Sequence, residues 1–244
     1  LWDRTDIGDG LTTIANMDSD NYPEIIIFNR KNDLYVLEHD GNTKYGPHHI
    51  ENNSADEDGE NEGFIPTNPA IGDVDGDGYP EIVIAATNVI HVFEHDLTPK
   101  WQQPINDQTG ASGPTTFDFE GDGRAEVVHA DEGTVWIWDG VDGTVKYEAP
   151  RGSRTIIDNP VVADINNDGH AEILVSMESP TGEIGMHGVI AYTNNEGNWV
   201  GTSRVWNQHA YHISNISESG IVPAREGAGW LEHNVYRSNI VKCE

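Results

Sequence analysis

Cysteine, basic side chains and long apolar runs are all scarce in this chain of 244 residues. Its one cysteine, Cys243, has no second cysteine to pair with, so no disulfide forms within the chain. No apolar run approaches the roughly 20 residues of a membrane-spanning helix, and no signal peptide is visible. The sequence therefore predicts no membrane insertion within this segment.

Basic residues number 13 against 42 acidic ones, which gives a formal net charge of −29. A polyanion of this strength repels phosphate backbones, so we expect no nucleic-acid partner. Apolar residues make up 36% of the chain, and its 26 glycines bring the total close to that of ordinary globular domains. This composition predicts a folded core rather than wholesale disorder.

One acidic pattern of nine residues recurs four times along the chain. The first positions of successive copies lie 57, 45 and 46 residues apart, which is typical of repeat architectures. Positions one, three, five and nine carry oxygen-bearing side chains, and position seven varies. In chain order these residues are Asn16, Asp18, Asp20, Tyr22 and Glu24; Asp73, Asp75, Asp77, Tyr79 and Glu81; Asp118, Glu120, Asp122, Arg124 and Glu126; and Asp164, Asn166, Asp168, His170 and Glu172.

Each copy lies between a short segment of small or apolar residues and a β-rich run, so it predicts the turn of a hairpin. A third strand is predicted at 34–37, 89–93, 135–138 and 189–192. A fourth strand is predicted to begin near Lys44, Lys100, Lys146 and Asn198, each followed by an aromatic residue. Four short strands in about 45 residues are typical of a propeller blade.

The predicted fold is therefore an all-β propeller with four-stranded antiparallel blades. We expect four blades at 11–50, 66–106, 113–150 and 159–205, within a propeller region that covers 1–205. Residues 1–2 are interpreted as the end of an upstream blade, which makes the chain a fragment of a larger propeller. The acidic stretch 51–65 is interpreted as a solvated insertion loop, with an accessory cation site as the alternative.

Alternating oxygen-bearing side chains in a tight loop converge on one point, which suits Ca²⁺ with its six to eight oxygen ligands. The backbone carbonyl of position seven would add a ligand. Glu at position nine either completes the coordination sphere or holds the loop from outside it. An EF-hand needs Glu at position twelve, and here that position falls inside the following strand.

Other metals fit the pattern less well. Zinc is disfavoured because the loops offer no cysteine or aligned histidine, and magnesium prefers fewer protein ligands. The second loop carries the full acidic set, whereas Glu120 is expected to crowd the third site. Asn16 and Asn166 each replace a carboxylate, so weaker binding is expected in the first and fourth loops. Glycine at position six permits a left-handed turn, for which Asn21 is the best substitute.

The C-terminal segment 206–244 lacks the acidic pattern and is rich in His, Asn, Trp and Tyr. We interpret it as a segment that packs on or closes the propeller and satisfies the edge strand of the last blade. A metal site at His209 and His212, or a sugar site formed by its aromatic and amide groups, is the alternative.

These four loops on blade hairpins resemble the FG-GAP/VCBS repeat family, which includes the propellers of integrin α-subunits. The resemblance covers residues 1 to about 205. It implies a calcium-stabilised propeller of seven or eight blades on a secreted or cell-surface protein, with up to four Ca²⁺ at the positions given above. Glu at position nine is more similar to the bacterial branch of the family than to integrins.

We therefore expect an extracellular module for adhesion or recognition of a protein or glycan ligand, in which calcium is structural. No nucleophile motif or phosphate-binding loop is present, so no enzymatic activity is expected. Two alternatives stay open: a calcium-dependent polysaccharide lyase or hydrolase, and a structural subunit of a surface assembly.

Overall fold

A computed structural model of the chain describes residues 2–7, 11–29, 31–50, 67–153, 157–178 and 188–242. The predicted acidic insertion at 51–65 and Cys243 lie outside the described residues. Within them the secondary structure is almost entirely β, with one 3₁₀ turn at Ile213–Asn215 and one short helix, α1, at Gly229–Glu232. No helix in this described part is long and apolar enough to cross a membrane.

The strands of the described residues form four antiparallel sheets, and neighbours in each sheet are also neighbours in sequence. The first three sheets have four strands each and the fourth has three. Their bounds are β1 Thr13–Ala15, β2 Glu24–Phe28, β3 Asp33–Leu37 and β4 Thr43–His49; β5 Ala70–Gly72, β6 Glu81–Ala86, β7 Val89–Phe93 and β8 Pro99–Pro104; β9 Thr115–Phe117, β10 Glu126–Ala130, β11 Thr134–Trp138 and β12 Val145–Pro150; and β13 Val161–Ala163, β14 Glu172–Met177 and β15 Gly188–Tyr192.

The strand register places all four acidic loops at equivalent points. In each sheet the residue before position one pairs with the Glu at position nine: Ala15 with Glu24, Gly72 with Glu81, Phe117 with Glu126, and Ala163 with Glu172. Each loop is thus the turn between the first and second strands, as predicted. The second strand begins at position nine itself, one residue earlier than expected.

The apolar core lies between successive sheets. One cluster joins the first sheet to the second, for example Phe28 with Ile82. Another joins the second sheet to the third through Val83 and Val127, and a third joins the third sheet to the fourth through Val128 and Ile173. The sheets therefore pack face to face in chain order, and β6 and β7 are buried along their whole length.

The fourth sheet departs from the prediction because its described part has no fourth strand. The segment around Trp199 leaves β15 and inserts between the third and fourth loops instead. Val200 N donates to Phe119 O at 3.0 Å and Val200 O accepts from Ala171 N at 3.0 Å, while the Trp199 ring lies 4.4 Å from that of Phe119. These contacts with loop backbone replace the pairing that a fourth strand would make with β15.

The C-terminal segment crosses the first strand of each of the four described sheets, so it packs on all of them and not on the last sheet alone. Asn234 exchanges two hydrogen bonds with the backbone of Asn16, at 2.8 and 2.7 Å, beside β1. Tyr236 and Ser238 form isolated bridges with Ile71 of β5 and Thr116 of β9. Asn239 Nδ2 then donates to Val162 O of β13 at 3.1 Å. The segment 234–239 therefore ties the four sheets together along the edges formed by their first strands.

Candidate metal centre

The position-one aspartate organises the backbone of the second, third and fourth loops (residues 73–81, 118–126 and 164–172). Asp73 Oδ1 accepts from Gly76 N at 2.6 Å, and Asp73 Oδ2 accepts from Gly78 N at 3.0 Å. Asp118 and Asp164 make the same two bonds to positions four and six. These bonds direct the position-one carboxylate into the loop.

Position six has a left-handed backbone in these three loops, with φ of +92° at Gly78, +88° at Gly123 and +85° at Gly169. Asn21 of the first loop (residues 16–24) does not adopt a positive φ, so the prediction that it substitutes for glycine in this conformation is wrong. The reason lies at position one, where Asn16 Nδ2 donates to Asp20 O at 2.8 Å instead of accepting amide protons from positions four and six. The first loop therefore closes differently.

The Glu at position nine is buried and links the end of each loop to its beginning. Its Oε2 accepts the N–H of position two in all four loops, at 2.7 Å from Met17, 2.7 Å from Val74, 3.0 Å from Phe119 and 2.9 Å from Ile165. In Glu24 and Glu81 the other oxygen, Oε1, is buried without a hydrogen-bond partner in the described part of the chain. Such an oxygen costs free energy unless a proton or a cation reaches it.

Burial is the main reason why these glutamates hold a proton more tightly than usual. It raises the pKa of Glu24 to about 7 and that of Glu81 to about 9, with the nearby carboxylates of Asp18 and Asp75 adding to the effect. The pKa of Glu126 is raised to about 7, again by burial first, although a hydrogen bond from Lys146 opposes it. Without a cation, burial thus shifts all three glutamates towards the protonated form.

The oxygens of the first three loops gather closely enough to hold a cation. The described residues contain four groups of three carboxylates. In each group every carboxylate offers one oxygen, and these three oxygens lie within 4.8 Å of one another. The groups are Asp18, Glu24 and Glu38; Asp73, Asp75 and Glu81; Asp75, Asp77 and Glu94; and Asp118, Glu120 and Glu126. An all-oxygen set of this kind, together with the unpartnered Oε1 of Glu24 and Glu81, fits a hard cation such as Ca²⁺.

Two of these carboxylates were not predicted from the sequence. Glu38 and Glu94 each follow the third strand of their sheet and lie beside the loop. The signal that could have found them is positional, because both occupy the same place after β3 and β7, where the third sheet has Asp139.

Lysines on the fourth strands reach the same carboxylates. Lys100 Nζ lies 2.5 Å from Asp75 Oδ2 and 2.9 Å from Glu94 Oε1. Lys44 Nζ lies 2.5 Å from Asp18 Oδ2 and 2.6 Å from Glu38 Oε1. Burial favours protonation of Asp18, but the hydrogen bonds from Lys44 and from the N–H of Asp20 outweigh it and lower its pKa.

In the third loop the lysine bridges positions three and nine, because Lys146 Nζ lies 3.1 Å from Glu120 Oε1 and 2.8 Å from Glu126 Oε1. The longer side chain of Glu120, which is expected to crowd a bound ion, contacts this lysine. Position three is thus an ion-pair position in three loops as well as a candidate metal ligand.

The remaining predicted positions divide into two kinds. Position five accepts the N–H of position seven in every loop: Asp20 from Tyr22, Asp77 from Tyr79, Asp122 from Arg124, and Asp168 from His170. At position seven, the side chains of Tyr22, Tyr79 and His170 contact residues outside the loops. Tyr22 and Tyr79 stack on His39 and His95 at 4.1 and 4.6 Å, and His170 Nδ1 contacts Trp199 O at 2.7 Å.

The two histidines considered as a metal pair in the C-terminal segment have separate partners. His209 Nδ1 contacts Asn159 Nδ2 at 3.0 Å and lies beside Arg237. His212 contacts Glu226 and the carbonyl of Ala210. Their hydrogen bonds give no support to a shared metal at this position.

The fold resembles that of a solved structure. The biofilm matrix protein Bap1 of V. cholerae matches with a TM-score of 0.70 at 17% identity, over 96% of this chain and 64% of the Bap1 chain. This chain thus spans less than two thirds of Bap1. A complex of BBS1N with ARL6DN gives a TM-score of 0.47 at 14% identity, over 68% of this chain and 47% of that one. No curated protein sequence matches.

The sequence also matches a family of repeats. The FG-GAP-like repeat matches three overlapping stretches, residues 16–84, 73–129 and 118–175. Each stretch begins at position one of an acidic loop and extends into the second strand of the next sheet. Together the three cover well over half of the chain, and all four loops lie within them. The chain belongs to the FG-GAP-like repeat family.

Proposed function

We propose that this chain is part of an extracellular, calcium-stabilised β-propeller that serves adhesion or recognition and has no catalytic role. The observation that carries the proposal is the repeated loop, in which carboxylates converge and Glu24 and Glu81 keep a buried oxygen without a partner. The residues that would hold Ca²⁺ are the side chains of positions one, three, five and nine and the carbonyl of position seven. Calcium would neutralise their charge and cross-link each hairpin.

The propeller arrangement is supported by how the sheets meet. They pack face to face in chain order, and Trp101 of the second sheet donates to Gly140 O of the third at 2.7 Å. Trp2 donates to His39 O of the first sheet at 2.8 Å, so it makes the contact that a preceding sheet would supply. In a propeller these contacts would repeat around the ring.

The extracellular location follows from the affinity expected of such sites. Calcium modules outside cells bind with dissociation constants of about 10⁻⁴–10⁻³ M, which resting cytosol would leave empty. The likeness to Bap1, a biofilm matrix protein, supports the same location and an adhesive role.

A cavity offers a place for the recognised ligand. It has a volume of about 590 Å³ and lies between β1 and the C-terminal segment, lined by Ile14, His212, Glu226, Trp230 and Tyr236 among others. Its size and its mixture of aromatic and polar groups are typical of ligand sites. A sugar ring stacked on Trp230, or a short peptide, would suit this chemistry.

Thermal unfolding with calcium and with chelator tests the structural role of the ion. A ligand that binds only the folded state stabilises it by about 2.7 kcal/mol at a hundredfold excess over its dissociation constant. With several sites, we expect the melting temperature to fall by many degrees on chelation, and magnesium to restore less of it than calcium. Coincident curves with calcium and with chelator would contradict the proposal.

A further inference from the structure

We propose that Lys44, Lys100 and Lys146 are resident counter-cations, which hold the first three loops when no divalent ion is bound and compete with calcium for the same oxygens. Each lysine lies on the fourth strand of its sheet and bridges two carboxylates. The part of this inference that concerns competition rests on the proposed binding of calcium. The holding role stands without calcium.

The competition follows from shared carboxylates. Every group of three carboxylates that could hold a cation, in the part of the chain that the structure describes, contains at least one oxygen partner of a lysine. Asp75 belongs to both groups of the second loop, and its Oδ2 lies 2.5 Å from Lys100 Nζ. A calcium ion that recruits Asp75 therefore loosens or repels this ammonium group.

The holding role follows from burial. The side chains of Lys44 and Lys100 are only 14% and 11% exposed, and that of Lys146 is 35% exposed. Removing one partner of a half-buried ion pair leaves the other charge uncompensated, which is strongly destabilising. Here each lysine serves two carboxylates, so its loss would leave two of them facing each other.

The fourth loop provides the internal contrast. Asn198, which aligns with the lysines, lies outside any strand and donates to Glu196 Oε2 at 2.9 Å. Position three is Asn166, whose amide donates to Asp168 Oδ2 at 3.0 Å and to Glu172 Oε1 at 3.2 Å. Arg204 reaches this loop but donates there to the amide oxygen of Asn167, while the carboxylate beside it, Glu218, lies outside the loop. A neutral donor thus stands where the other loops have an ammonium group.

Hydrogen exchange read by mass spectrometry separates the loops within one sample. Calcium is titrated into the wild type and into Lys100→Gln, and protection is followed in peptides over 73–81 and 164–172. In chelator the variant should exchange faster in 73–81 only. Its calcium midpoint in 73–81 should fall by about tenfold, because a positive charge is lost a few ångströms from the ion, while that of 164–172 stays unchanged.

Lys31→Gln is the matched control, because Lys31 is exposed, lies in the hairpin before β3 and forms no ion pair with a loop carboxylate among the described residues. It should change neither peptide. An unchanged or raised midpoint in Lys100→Gln overturns the competition, and unchanged exchange in chelator overturns the holding role. If no wild-type loop responds to calcium, the proposed function fails while the chelator arm still decides the lysine role. Should Lys100→Gln not fold, Lys146→Gln offers the same test at a more exposed lysine.

Discussion

The second and fourth loops share a backbone conformation but balance their charge differently. In both, the position-one aspartate accepts amide protons from positions four and six, and the glycine at position six has a positive φ. The second loop then places Lys100 between Asp75 and Glu94, whereas the fourth uses the amide of Asn166. Hydrogen bonds from the backbone to position one therefore set the shape of both loops. The residues that neutralise the carboxylates, Lys100 in one loop and Asn166 in the other, vary independently of that shape.

The largest expected effect tests the shared part of this comparison. Asp73→Ala and Asp164→Ala each remove at least two amide bonds to a charged acceptor, and such bonds contribute about 1.5–3 kcal/mol each. We expect both variants to lose about 4 kcal/mol of unfolding free energy, measured by urea denaturation. The exposed Asp3→Ala is the control. A cost in one loop only would show that the two backbones do not depend on the same bonds.

A buried histidine, His129, limits how far the pH can be lowered before the fold that carries the loops loses stability. His129, at the end of β10 away from the loop, is fully buried, and burial lowers its pKa to about 4. Asp107 and Asp131 raise it and Arg151 lowers it further. Since the folded pKa lies below the unfolded value of about 6.5, its contribution is complete above pH 6.5 and is lost as the pH falls towards 4.

Protonation linked to this one residue should therefore lower the free energy of unfolding by up to about 3 kcal/mol as the pH falls from 6.5 to 4. His129→Leu, followed by denaturant unfolding between pH 7 and pH 4, should show a shallower loss than the wild type. The exposed His233→Leu should follow the wild-type curve. A slope in His129→Leu equal to that of the wild type would mean that another group, such as a loop carboxylate, sets the acid limit.

A third, smaller effect sharpens the difference between the loops. In calcium, Asp75→Ala should lower the unfolding free energy by about 2 kcal/mol and Asn166→Ala by about 1 kcal/mol. The reason is that Asp75 offers the ion a formal charge, whereas Asn166 offers an amide dipole. Thermal unfolding of both variants in the same calcium buffer makes the comparison. The ranking is wrong if Asn166→Ala proves equally destabilising or more so.

The hairpins and their loops could be predicted from the sequence because their signals are local. Apolar runs bounded by turn residues located β2, β6 and β14, and the acidic spacing located each turn. The fourth strand of the last sheet could not be predicted correctly, since Asn198 and Trp199 resemble the earlier repeats locally. Only the contacts of Trp199 and Val200 with the third and fourth loops draw this segment away.

The contacts within the candidate site depend on tertiary structure, and the sequence alone did not show them. The sequence shows a lysine near the start of three predicted fourth strands, but the pairing of these lysines with Asp18, Asp75 and Glu120 depends on how far the fourth strand lies from the loop. The role of Glu at position nine likewise needed the register that brings Oε2 to the N–H of position two. The path of residues 234–239 across all four sheets has no local pattern at all.

A crystal structure from crystals grown with calcium would test directly whether the acidic loops hold Ca²⁺. We expect an ion in at least the second, third and fourth loops, with oxygen ligands at about 2.3–2.6 Å. Asp73, Asp77 and Glu81 Oε1 should converge on the ion of the second loop, with Lys100 displaced from Asp75. Loops without an ion in millimolar calcium, with Lys100 still bridging Asp75 and Glu94, would contradict this expectation.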